Sequence, residues 1–454
     1  MNKYQRDEIT AKITFNKHSF KNSPFTLEEF KKIIEKREIY IWGGGLEGRG
    51  FFLKCKKVLN LKVKAFIDTR KFKDNKIHNI EVIKPETFYS KYADPNKVFI
   101  HVATAHREFK RIAIAKNEKY NFIRNKDYTV QMDLCDYIPI IEVTGNCNLK
   151  CITCTVGAPD FVKGSLMKVD YYEKILAKMS KDIPFLTGVY LYLWGEPFIH
   201  PKLDEIIKIT HKYGLACDIS TNLNLDKHLD KIMKAEPDIL TLACSGTDKN
   251  YAVTHTGGNF NKFHSNLLKV KDCVDKYKLD THVRFYYHMY KHNLNEEYNF
   301  CKKLADDLGF WWYPIIAQLF PQHIYHHVVN NKPLPPQYHE AKDLVIYDYE
   351  DHIKTSFDKR KSFCPVYKAF PTIRYNGSVV HCSLMTDPTV SKNFLDEDFE
   401  NLKEKRRKQG EDTCVSCMSY GMHKFFDVAN VDIKMEKGRR VAVYKNTENF
   451  KAKV

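Results

Sequence analysis

The chain has 454 residues, with 73 Lys and Arg against 56 Asp and Glu (formal net charge +17), and is 43% hydrophobic and 13% aromatic. This composition excludes a disordered chain and leaves room for two or three domains, each with its own core. No run of eighteen apolar residues appears, which excludes a transmembrane helix, and the opening MNKYQRDEITAK lacks the apolar stretch of a signal peptide, so a cytoplasmic protein is expected. The positive charge favours an anionic small molecule over neutral ones; it is mostly Lys spread along the chain, so neither nucleic acid nor membrane is an expected partner.

Residues 1–135 open with an amphipathic lead (TLEEFKKIIEKRE, 26–38). The strand EIYIW (38–42) then runs into GGGLEGRG (43–50), a helical stretch to about Asn60, and the strands VKAFID (63–68) and KVFIHVAT (97–104). Strand, Gly-rich turn, helix and strand make a βαβ unit. Residues 136–320 repeat the alternation six times, with strands at 138–143, 189–194, 215–220, 239–244, 283–288 and 310–316. Six such units predict an α/β fold, a parallel partial (β/α)6 barrel following a Rossmann-like domain. Residues 321–360, with a Pro pair, read as a linker or lid. Residues 361–425 form a small Cys-bearing extension, and 426–454 a basic tail.

Thirteen cysteines in a reducing compartment point to metal or catalysis. Six of them (Cys55, Cys135, Cys217, Cys244, Cys273 and Cys301) are scattered and read as buried small hydrophobes. Cys147, Cys151 and Cys154 instead crowd a loop after the first barrel strand, in IIEVTGNCNLKCITC. Three thiolates on a 4Fe–4S cubane leave one iron open for a chelating cofactor. A zinc site is the alternative, weakened by the lack of a nearby fourth ligand.

C-x3-C-x2-C after a first strand, followed by Gly195, Glu196 and Pro197 at the end of the second, resembles the radical S-adenosylmethionine (SAM) superfamily. The resemblance covers about 135–320 and extends to Ser220, Thr221 and Asn222 after the third strand, Ser245 and Gly246 after the fourth, and Asn293 after the fifth. It implies a SAM-binding 4Fe–4S cluster on the three cysteines, with Gly195, Glu196, Pro197, Ser220, Asn222, Ser245 and Asn293 around SAM. It also implies an electron from a low-potential donor such as flavodoxin or ferredoxin, reductive cleavage of SAM to a 5′-deoxyadenosyl radical, and hydrogen abstraction from a substrate. No catalytic acid, base or hydrogen donor follows from it. Two departures stand out: the Asp of the fourth-strand pattern is missing, and Thr153 stands where relatives carry an aromatic beside the adenine.

A second group, Cys364, Cys382, Cys414 and Cys417, spans a hairpin signal at Asn376–Gly377 that brings Cys382 back toward Cys364. Four thiolates suit either an iron–sulfur cluster or zinc. The arrangement resembles the twitch extension, a shortened SPASM domain, and so implies one auxiliary 4Fe–4S cluster held entirely by protein. The histidines at 323, 326, 327 and 339 read as surface or lid residues.

Gly43, Gly45 and Gly48 form G-x-G-x-x-G after a strand, with Asp68 ending the next strand. A phosphate at the helix N-terminus and a ribose on Asp68 would suit that pattern. The segment is similar to small Rossmann-like domains attached to sugar-modifying enzymes of bacterial surface-glycan pathways. A packing or dimerisation module is the alternative, and cobalamin is not expected because D-x-H-x-x-G is absent. The expected substrate is thus a nucleotide-linked or phosphorylated sugar undergoing oxidation, epimerisation or dehydration. A peptide-modifying maturase and a non-catalytic iron–sulfur protein are the competing functions.

Overall fold

The β-prone run EIYIW forms β1 (Glu38–Trp42), and the next apolar runs form β2 (Val63–Ile67), β3 (Lys76–Ile77), β4 (Ile80–Ile83), β5 (Val98–Val102) and β6 (Tyr128–Val130). These details come from a computed structural model, which describes residues 6–18, 23–70, 72–158, 161–356, 361–424, 431–436 and 439–444. The strand order is β3-β4-β2-β1-β5-β6, parallel throughout except for β3 against β4. Strand order reverses at β1, so a crevice opens at the carboxyl ends of β1 and β5. The loop 43–45 sits there.

The second sheet begins with β7 (Ile140–Ile141), β8 (Gly188–Tyr190), β9 (Ala216–Thr221), β10 (Ile239–Cys244), β11 (His282–Met289) and β12 (Trp311–Ile316). Each is the parallel neighbour of the next, the open arrangement that six βα units predict. β7 and β8 are shorter than their apolar runs because the chain after each turns into the site described below. β13 (Thr372–Ile373) pairs in parallel with β7, and β14 (Val379–Val380) and β15 (Thr389–Ser391) continue antiparallel, making nine strands. On β11 the alternation is plain. Val283, Phe285, Tyr287 and Met289 are buried against helices, while His282, Arg284, Tyr286 and His288 are half-buried on the other face, which lines the lumen.

The two sheets are not independent bodies. Helix Leu46–Lys54 is buried along nearly its whole length, and its Leu46 lies against Gly188 at the start of β8. Phe30 packs edge-on against Phe185 from the barrel at 5.3 Å. Residues from both units therefore share one apolar core.

Of the 321–360 stretch, read above as a linker or lid, the described residues 321–356 are folded. Short helices Tyr325–Val329, Gln337–Leu344 and Tyr349–Thr355 put Tyr325, Tyr338, Tyr349 and Ile353 into a core with Met385, Cys417 and Met422. In the 426–454 tail, β16 (Val431–Glu436) and β17 (Arg439–Tyr444) pair as a hairpin, and the remaining tail lies outside the described residues. Among the described residues no helix is long and apolar enough to cross a membrane.

Gly50 marks the docking of the two units: a Cβ there would lie 1.6 Å from the Thr187 carbonyl oxygen. Gly50→Ala must push backbone against backbone, so it should lower stability by about 1–3 kcal/mol. Urea unfolding of the full chain checks this, and an unchanged midpoint would contradict the close docking.

Candidate functional site

At the carboxyl end of β7 the chain leaves the sheet and forms the cysteine loop. A turn closed by Cys154 N–H to the Cys151 carbonyl (3.0 Å) fixes the loop, and Lys150 N–H donating to the Thr256 carbonyl (2.8 Å) ties it to the segment after β10. Burial pushes the Cys147 thiol up to about 12, with the nearby Glu196 and Cys154 adding to it. Cys151 is pushed up by burial and then by the charges of Cys154 and Cys147. Buried thiols with raised pKa values are poor thiolates alone; a bound metal reverses this by deprotonating them outright.

The second-strand turn comes to the same place. Glu196 N–H donates to the Asn146 carbonyl at 2.8 Å. A Cβ on Gly195 would lie 1.8 Å from the Thr144 carbonyl, so only glycine lets the two loops meet. Glu196 is 4% exposed; its Oε1 accepts from Phe198 N–H (2.9 Å) and its Oε2 from Asn222 N–H (2.7 Å). Burial raises its carboxyl to about 7, against those hydrogen bonds. Among the described residues no cation pairs with it, so it is a buried acid poised for a cationic ligand group. Asn222 reaches the Asn148 side chain (3.0 Å) and the Cys147 sulfur (3.8 Å). Pro197 begins the short turn Pro197–Ile199 behind Glu196.

The other anticipated SAM residues are placed differently. Ser220 is half-buried near the end of β9. Ser245 is fully buried, and its hydroxyl bonds His255 Nδ1 at 2.5 Å and the Thr254 hydroxyl. Asn293 is also buried and brackets two strand ends, donating to the Ser245 and His288 carbonyls (both 2.9 Å) and accepting from Tyr290 N–H (2.8 Å). Ser245 and Asn293 thus support the backbone around the site, while Glu196 and Asn222 meet the cysteine loop directly.

Three features had no local sequence signal. Glu142 is 1% exposed; its Oε1 accepts from Trp194 N–H (3.1 Å) and Gly195 N–H (3.3 Å), and its Oε2 pairs with Arg374 Nε (2.5 Å) of the hairpin beyond β13. Tyr290 puts its hydroxyl 3.0 Å from Thr153, bringing an aromatic to the position where the sequence lacks one. The lumen carries an Asp218–Arg284 pair (2.9 Å), Tyr190 against Tyr192, and Tyr286 stacked on Tyr313 at 5.4 Å.

In the extension Cys364, Cys382, Cys414 and Cys417 wall one cavity with His381 and Gln322. The turn between β13 and β14 puts Gly377 at φ +87°, as the Asn376–Gly377 hairpin needs, and so returns Cys382 to Cys364. Cys414 and Cys417 come from helix Thr413–Ser419. Burial pushes the Cys364 thiol up to about 11. Arg406, 2% exposed, is held between the Tyr367 and Phe370 rings and donates to the His381 and Tyr367 carbonyls (3.0 and 2.7 Å), and its charge opposes the rise at Cys364, Cys382 and Cys414. His381 Nε2 lies 3.0 Å from the Cys414 sulfur.

The six scattered cysteines are buried, as their apolar settings suggest.

In the Rossmann-like unit Gly43 and Gly48 meet backbone to backbone, and Gly45 faces open space at the N-terminus of helix Leu46–Lys54. Asp68 accepts from Gly44 N–H (2.8 Å) and forms a forked pair with Arg70 (2.6 Å to Nη2), so its carboxylate is already engaged.

Comparison with known proteins places these features. Residues 141–301 match the family model described as the radical SAM superfamily. The chain is 32% identical over 102 residues to the tungsten-containing aldehyde ferredoxin oxidoreductase cofactor-modifying protein of Pyrococcus furiosus, covering 22% of this chain and 28% of that protein. It is 28% identical over 121 residues to the GTP 3′,8-cyclase of Chlorobaculum tepidum, covering 25% of this chain and 34% of that protein. The chain thus spans about a third or less of these curated relatives. A solved structure, native anSMEcpe with bound AdoMet, aligns over 63% of this chain and 88% of that one, at 14% identity and a TM-score of 0.41. The superfamily brings a 4Fe–4S cluster and SAM, and the donor set and spacing of Cys147, Cys151 and Cys154 fit that cluster.

Two measurements check the site. With both cysteine groups loaded, the anaerobic protein should hold about eight irons, falling to about four when Cys147, Cys151 and Cys154 are changed to Ala; a full iron load in that variant would refute the assignment. Glu142→Gln removes the charge from a buried pair and should cost about 3 kcal/mol of stability. Urea unfolding reads that loss, and its absence would show that the Glu142–Arg374 pair is not structural.

Proposed function

We propose that this chain is a radical SAM enzyme that binds SAM beside Cys147, Cys151 and Cys154 and abstracts hydrogen from a nucleotide-linked or phosphorylated sugar. The observation that carries the SAM part is the meeting of Glu196 and Asn222 with the cysteine loop. Bound on the three thiolates, the 4Fe–4S cluster would supply the electron that cleaves SAM to a 5′-deoxyadenosyl radical, drawn from a low-potential donor such as flavodoxin or ferredoxin.

The chain's own part is positioning and exclusion. The buried Glu196 carboxylate holds the SAM ammonium, which returns to it the counter-charge that burial withheld. Tyr290 shields the third cysteine's side of the loop, and the aromatic lumen keeps water and stray hydrogen donors from the reacting carbon. The four-cysteine cavity fits an auxiliary 4Fe–4S cluster, with the buried Arg406 as a counter-charge for its thiolates.

The sugar part rests on the 43–50 loop, the open face at Gly45 and the net charge of +17. Arg70, paired to Asp68, stands next to the glycine turn and would meet a phosphate at the helix N-terminus.

Glu196→Gln should weaken SAM binding to the iron-loaded protein at least tenfold, since a hydrogen bond to a charged group contributes about 1.5–3 kcal/mol, with iron content unchanged. Equal affinity would remove Glu196 from the site. For the substrate, 5′-deoxyadenosine formation should rise with a nucleoside diphosphate sugar and lose that rise, but not its slow basal rate, in Gly45→Val. Stimulation by peptides and by no sugar would overturn the sugar reading and leave the SAM reading standing.

A further inference from the structure

On the outer face of the barrel, away from the lumen, the ligating atoms of His211, Cys217 and Asp238 converge on one spot, and His78 reaches Asp238 from the other sheet. Asp238, immediately before β10, is 1% exposed. Its Oδ2 lies 2.8 Å from His211 Nε2, at the last turn of helix Leu203–Lys212, and accepts the Cys217 backbone N–H at 2.9 Å. Cys217, the second residue of β9, is fully buried on the face opposite Asp218 of the lumen. From the Rossmann-like sheet comes His78, in the turn between β3 and β4, its ring stacked on Phe52 with centroids 4.8 Å apart and its Nε2 3.4 Å from Asp238 Oδ1.

Two observations set this cluster apart from an ordinary buried ion pair. The ligand atoms of His211, Cys217 and Asp238 all lie within 4.8 Å of one another, the closest convergence of such groups among the described residues. Furthermore, Asp238 Oδ1 and His78 Nε2 are both buried and meet only each other, at 3.4 Å, longer than an ordinary N–H···O bond, a separation that an ion between them would fill.

We propose that His78, His211, Cys217 and Asp238 form a structural zinc site that clamps the Rossmann-like domain to the barrel. Two imidazoles, one thiolate and one carboxylate make a closed four-ligand set of the kind tetrahedral zinc takes. The thiolate and imidazoles disfavour magnesium and calcium, which prefer oxygen ligands. The Cys217 N–H held by Asp238 Oδ2 leaves Oδ1 as the ligand atom and fixes the carboxylate from behind. Binding would release the Cys217 thiol proton and any proton on either Nε2; thiolate and carboxylate then neutralise the ion, so no net charge is added to the buried pocket.

The site is independent of the radical SAM reading and is tested on the full chain with both iron sites loaded. After growth with zinc and desalting, elemental analysis should find about one zinc per chain. Absorption at the zinc edge should show a shell of nitrogen and oxygen with a single sulfur. Cys217→Ser and His211→Ala should each lower zinc at least tenfold with iron unchanged. Zinc below a tenth per chain, an all-sulfur shell, or zinc unchanged in both variants would overturn the site. Should either variant fail to fold, the zinc content and shell of the unmodified protein decide alone.

Discussion

Glu142 is the side chain on which the site's geometry most depends. A carboxylate buried to 1% exposure must be paired or pay a large desolvation cost. Glu142 meets that demand with Arg374 on one oxygen and with the Trp194 and Gly195 amides on the other. One charge therefore fixes three things: the end of β7, the turn that carries Glu196, and the hairpin that leads to the second cysteine group. Removing either partner strands the other's charge, which is why the pair specifies position as well as stability.

The same logic runs through the docking of the two sheets. Helix Leu46–Lys54 is the helix a Gly-rich turn would open, yet most of its length is spent on the barrel. Gly50 allows the contact with Thr187, and the Gly45 end stays open at the crevice. The glycines therefore answer to packing at 48 and 50 and leave 45 available for a ligand. Asp68 is likewise drawn into holding the turn through Gly44 and Arg70.

What the sequence made legible was local. The cysteine triad, the Gly195–Pro197 turn and the Asn376–Gly377 hairpin are each written within a few residues, and each appears where its spacing puts it. What it hid was long-range. Glu142 and Arg374 are 232 positions apart and Tyr290 and Thr153 are 137 apart, and no periodicity joins them. The stretch 321–360 looked like a connector because its helices are only a turn or two long, too short to show amphipathic repeat. Cys217 read as a small hydrophobe, and its burial agrees; only the fold brings His211 and Asp238 to it.

The central claim is that the triad's metal core has an open position taken by SAM. Electron paramagnetic resonance of the reduced protein, in a variant with Cys414 and Cys417 changed to Ala so that only the triad site remains, tests it most directly. The account predicts a 4Fe–4S signal whose g values and line shape change when SAM is added. A signal indifferent to saturating SAM would contradict it.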